Sequence, residues 1–161
     1  KMKTKISLLG LLLVLFSACK KDQPIVVTTD DYCAAVDTVT GIMVHDIFSP
    51  PVASRIYVYP NVAAYEIIAQ NSTKYESLQG QLNGLDSIPV LDAKSGVNQK
   101  LAALIAHMEV SKQLIFSEEA LEKYRDSLYE KWGSENKKEF EVSKDKVVLD
   151  FCGVHNKKNK S

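Results

Sequence analysis

Apolar residues in the body of this chain recur with helical spacing. Beyond the first eighteen residues no run alternates with the period of a strand. Residues 30–48 carry Val36, Val39, Met43 and Ile47 on one face, behind Thr29 or Asp30 as N-cap and with acids in the first turn. "SPP" ends that helix, and Pro51 suits the first turn of the next. There Val52, Ile56, Tyr59, Ala63 and Ile67 line one face, while Tyr57, Ala64 and Ile68 make the opposite face apolar too. A helix apolar nearly all round is expected to be buried. Pro60 removes a backbone donor inside it, so a kink or break is expected there.

Residues 71–97 hold three glycines and Pro89 and predict a connection with one helical turn near 74–82. A third helix is expected over 98–116, with Leu101, Leu104, Ile105, Met108 and Ile115 inward. Ser117 caps a fourth, whose stripe is Leu121, Tyr124, Leu128 and Trp132. A more charged fifth helix covers about 135–150. The fold class is therefore all-α, a bundle of about five helices in a domain over 29–150, without internal repeats.

The stretch "HDIFSPPVASRIYVYPNVAAYE", 45–66, changes this picture most. It holds three prolines and three tyrosines, and Arg55 is its one charge between Asp46 and Glu66. The expected reason is that it forms the centre of the core. A buried Arg55 then needs a partner. Asp46 is the nearest candidate, because Glu66 lies eleven residues on, about 16 Å along a straight helix.

The N-terminus has a targeting layout: basic "KMKTK", apolar "ISLLGLLLVLF", then "SAC". The apolar run is shorter than the ~20 residues of a spanning helix. "LFSAC" matches a lipobox, which makes 1–18 a cleaved lipoprotein signal peptide, Cys19 the lipidation site and 19–28 a tether. The expected location is the cell envelope, lipid-anchored; Lys20 after the cysteine favours the outer membrane of a Gram-negative bacterium. Lys1 before Met2 points to initiation at Met2. The tail after residue 150 differs in composition and fits either a disordered end or a reading frame that has lost its continuation.

Net charge is zero at pH 7, which leaves no electrostatic footprint for nucleic acid. Residues 1–18 hold Lys1, Lys3 and Lys5 and no acid, so without them Lys plus Arg falls from 20 to 17 against 20 acids, near −3. Attachment to a membrane would then rest on acyl chains rather than on charge.

Candidate chemistry is sparse. Cys33 is expected to pack as a small apolar side chain, and a pair with Cys152 stays open. No Cys/His spacing fits zinc. His45 and Asp46 suggest a base with an orienting carboxylate, but adjacent helical residues point about 100° apart, so a helix-end histidine is expected. His107, within reach of Lys100, Ser111 or Glu109, is expected to be a satisfied helix histidine. Glu118, Glu119 and Glu122 read as a solvated face at a helix N-terminus.

"MVHDIFSPPVASRIYVYPNVAAYEIIAQ", with "LAALIAHMEVSKQLIFSEEALEKYRDSLYEKW" downstream, resembles the N-terminal region of vanadium-dependent haloperoxidase-like lipoproteins of Bacteroidetes, in the superfamily of type 2 phosphatidic acid phosphatases. The resemblance covers roughly 28–145. Its most specific part is a helix-packing signature: Pro51, Ser54, Arg55, Tyr57, Tyr59, Pro60 and Tyr65. It implies an all-α fold. For the full-length family it also implies vanadate or phosphate held by Lys and Arg, with a catalytic His. Those groups come from motifs with Arg-Pro, Pro-Ser-Gly-His and Ser-Arg-x-x-x-Gly-His-x-x-x-Asp. Neither Arg55 nor Arg125 precedes Pro, Gly-His does not occur, and Ser54-Arg55 is not followed by the rest of its motif. No catalytic, cofactor-binding or metal residue carries over. The expectation is the support half of an enzyme, partnered by a missing catalytic C-terminal part. The alternative is a small non-enzymatic helical lipoprotein that packs against a partner.

Overall fold

The computed structural model describes residues 22–92 and 95–148. The signal segment, Cys19, Cys152 and the tail lie outside the described residues. Among the described residues five α-helices follow one another: α1 (Thr29–His45), α2 (Pro50–Ala69), α3 (Gln99–Lys112), α4 (Glu118–Glu135) and α5 (Lys137–Lys146). The chain is all-α. Among the described residues, no helix is long and apolar enough to cross a membrane.

The central element is α3, which packs against α2, α5, α4 and α1. Every residue from Leu101 to Met108 is buried. Its alanines 102, 103 and 106 leave room for helices to approach on several sides, and so the expected one-sided stripe is buried all round. Ala64 and Ile67 of α2, Trp132 of α4 and Phe140 of α5 complete this core, and Trp132, Phe140 and Tyr129 form an aromatic cluster. A smaller cluster joins Val39, Ile42 and Met43 of α1 to Ile56, Ile115 and Leu121.

Local signals explain most boundaries. Thr28, rather than Thr29 or Asp30, caps α1: its hydroxyl accepts from Asp31 N–H, while Asp31 accepts Thr28 N–H at 2.8 Å. Asn98 and Asn136 cap α3 and α5 through their side chains. The first helix ends at His45, earlier than expected. Its terminus is a Schellman motif: Phe48 N–H reaches Met43 C=O and Ile47 N–H reaches Val44 C=O, both at 3.3 Å. Ile47 stands at the position glycine usually takes, with φ +56°.

Two segments depart from expectation. Over its described residues, 22–28, the expected tether is held to the bundle. Ile25 and Val27 are buried, Ile25 N–H donates to Glu139 at 2.9 Å, and Asn98 donates to Ile25 C=O at 2.9 Å. The connection 71–92 holds no helix near 74–82. Instead α2 fastens it from its C-terminal end. Glu66, 1% exposed, accepts the Ser77 hydroxyl and Leu78 N–H, both at 2.7 Å. Gln70 brackets the strand-like end, donating to Pro89 C=O and accepting Leu91 N–H. Gly80, at φ +73°, lets the chain turn so that its N–H reaches Leu85 C=O.

Candidate functional site: an uncovered helix face beside a tyrosine-lined groove

The second helix has two halves. From Pro60 to Ala69 its inner face is buried, with Pro60, Ala64, Glu66, Ile67 and Ala69 covered. From Pro50 to Tyr59 only Ile56 is buried and Ala53 is half-buried. Val52 is 40% exposed, Val58 51% and Tyr59 50%. This corrects the expectation of a core segment. Of the signature residues, Pro60 is buried and Tyr65 is half-buried, whereas Pro51, Ser54, Arg55, Tyr57 and Tyr59 are exposed. The correction has a simple cause: the bundle supplies neighbours for one face of this half-helix and for no other. The helix also runs through Pro60 without interruption to Ala69.

Arg55 therefore needs no buried counter-charge, and among the described residues it has no ion-pair partner. Asp46 does a different job. Its carboxylate accepts Phe116 N–H at 2.9 Å, Ser117 N–H at 3.0 Å and the Ser117 hydroxyl. The Ser117 hydroxyl, with those two N–H groups, holds the Asp46 pKa down at about 2. Ser117 thus stands at the N-cap of α4 while its side chain makes no cap bond of its own. His45 is a helix-end residue, as expected, yet its Nδ1 lies 3.3 Å from Asp46 Oδ1.

Beside the exposed half of α2 lies an open groove of about 910 Å³, between α2, the start of α1, the 75–78 segment and α3. Tyr32, Tyr57, Tyr65 and Tyr75 line it, with exposed Lys100 at its edge. Hydrogen bonds fix its walls. The Tyr32 hydroxyl donates to Asn61 Oδ1 at 2.7 Å, Asn61 donates to Tyr57 C=O, and the Tyr57 hydroxyl donates to Thr40 at 3.0 Å. Burial pushes the Tyr32 pKa up to about 12, so it remains a neutral donor. Tyr65 donates to Glu76 C=O at 2.7 Å and meets Tyr75 edge-on. Tyr32, Asn61 and Tyr75 carried no sequence signal for this role; the groove comes from tertiary packing alone.

His107 lies behind that wall, its ring edge-on to Tyr32 with centroids 5.2 Å apart. It is buried, and its Nδ1 has no hydrogen-bond partner, nor does Ser111 Oγ or Trp132 Nε1. The satisfied histidine expected there is thus an unsatisfied one, and burial pushes its pKa down to about 4. Cys33 is exposed rather than packed. Of the expected acidic face, Glu118 and Glu119 open α4, and Glu122 pairs with Lys112.

No protein-family model matches the chain, and no curated protein does. A solved structure does match: a bacterial vanadium-dependent iodoperoxidase, 55% identical, with a TM-score of 0.77 over 80% of this chain. The chain is haloperoxidase-like. It spans 31% of that iodoperoxidase's length.

The described residues of this haloperoxidase-like chain do not fit vanadate. An oxyanion of that charge needs several convergent cations and donors. Arg125 is occupied by Glu109 and Asp126 at 3.2 and 3.0 Å, Arg55 stands on an open helix face, and His107 is sealed behind Tyr32. Nor does any group of three or more His, Cys, Asp or Glu among the described residues offer a metal site.

Proposed function

We propose that this chain is the N-terminal helical part of a vanadium-dependent haloperoxidase-like protein, a scaffold that does not catalyse by itself. The parent chemistry is halide oxidation by peroxide or, from the wider superfamily, phosphate-ester hydrolysis. The observation that carries this reading is 55% identity to the iodoperoxidase, sustained over 80% of this chain but over only 31% of that one. In this reading, vanadate and its Arg, Lys and His ligands belong to the part of the protein that this chain does not match. Attachment to the outer membrane through a lipidated Cys19 belongs to the same proposal, and incorporation of labelled palmitate that a Cys19→Ser variant loses is its test.

The enzymatic reading is tested with a full-length chimera. The matched segment of the iodoperoxidase is exchanged for this chain, and triiodide formation is followed with vanadate, peroxide and iodide. The chimera is expected to oxidise iodide, and the chain alone to be inactive. A chimera that folds but lacks activity overturns the reading.

A further inference from the structure

The first half of α2 is chemically prepared for a covering that this bundle does not provide. Half of the 18 residues of α4 are charged, which is how a water-facing helix of this protein is built. Residues 50–59 are more open to water than that helix, yet Arg55 is their only charge. The start of the helix is prepared in the same way. Pro50 and Pro51 occupy its first two positions, and Ser49 makes no side-chain cap bond. Two of the N–H groups that a helix start leaves orphaned are thereby removed, so an apolar surface can cover this end at lower cost.

From these features we infer that residues 50–59 form an interface helix, covered in the working protein by an apolar helical surface of the catalytic remainder of a haloperoxidase-like polypeptide. This rests on the function proposed above. The length relationship names the occupant: 69% of the iodoperoxidase chain lies outside the match, since 31% is spanned. Val52, Val58 and Tyr59 are the apolar contacts. Arg55 sets a polar requirement, a carboxylate or the carbonyl end of a helix on the covering surface.

The test uses Val58→Asp with Tyr59→Asp, in this chain alone and in the full-length chimera. Both side chains are exposed in the chain, so its Tm is expected to shift by no more than about 2 °C. In the chimera the same pair is expected to lower Tm by roughly 10 °C, through two carboxylates in an apolar contact. Amide exchange over 50–59 is expected to be slower in the parent chimera than in the chain alone. An active chimera in which the pair leaves Tm unchanged overturns this inference and leaves the proposed function standing. A folded but inactive chimera removes the proposed function and this inference with it. A dimer of the chain alone that the pair dissolves also overturns it, since the occupant is then a second copy.

Discussion

Asp46 and Ser117 stand 71 residues apart, and one carboxylate joins them. Asp46 closes α1 as its C-cap and, by accepting Ser117 and Phe116, opens α4 as a substitute N-cap. The Phe48 and Phe116 rings lie 4.8 Å apart beside this clamp. One side chain therefore sets the relation of two helices whose own termini lack glycine and a self-made cap.

Asp46→Ala leaves two N–H groups at the start of α4 without their acceptor. We expect Tm to fall by about 5 °C at pH 7. The pH dependence has a definite sign. The folded pKa, about 2, lies below the ordinary value of 3.8, so the clamp's contribution is present above pH 4 and is lost as pH falls toward 2. Thermal melts of parent and variant should converge across that window. A gap of constant width from pH 5 to pH 2 counts against the clamp.

Ile47 is a β-branched residue held at φ +56° with its side chain 88% exposed. Its conformation is unfavourable for an L residue, and little packing repays it. Ile47→Gly is therefore expected to stabilise the chain by about 1 kcal/mol, the relief of strain exceeding the entropy that glycine adds to the unfolded state. Urea unfolding measures this directly, and a loss of stability contradicts it.

Glu66 holds the 72–92 connection to α2 from inside. Glu66→Ala removes the acceptor of both Ser77 and Leu78 and should cost roughly 2–3 kcal/mol. Limited proteolysis should then cut between 72 and 92 faster than in the parent. A variant equally resistant there shows that the carboxylate does not fasten the segment.

His107 contributes a pH dependence at higher pH than Asp46. Burial depresses its pKa from 6.5 to about 4, so the unfolded chain binds a proton more readily. Stability is complete above pH 6.5 and falls as pH drops toward 4, by about 2 kcal/mol between pH 7 and pH 5 from this group. His107→Leu removes both the proton and the orphaned Nδ1, and its unfolding free energy should change little over that interval. An equally steep fall in the variant assigns the dependence to other groups.

The helices and the all-α class were legible because periodicity reports what each face can pack against. What periodicity does not report is which neighbour is present. Residues 50–59 and 101–108 show this in opposite ways. The first stretch is apolar on most sides and stands open, because the bundle buries only Ile56, half-covers Ala53 and otherwise touches it through the Tyr57 hydroxyl on Thr40. The second reads as a stripe interrupted by alanines and His107, and it is sealed, because small side chains let neighbours close in from several directions. The groove was illegible for a related reason. Tyr32 comes from α1, Tyr57 and Tyr65 from α2 and Tyr75 from the connection, and only the packing of α1 and the 75–78 segment against α2 brings them together. The role of Asp46 also depended on a partner 71 residues away, which no local spacing announces.

The fastening of the extended N-terminal segment bears on reach. Gln23 N–H bonds to Glu135 C=O, and Ile25 is gripped by Glu139 and Asn98. From residue 23 onward the chain belongs to the body of the bundle, and Gln23 lies four positions after Cys19. Fully extended, four residues span no more than about 14 Å. An acyl anchor at Cys19 would be a short leash rather than a stalk, holding the bundle about one helix diameter from the lipid and restricting which of its sides a partner can approach.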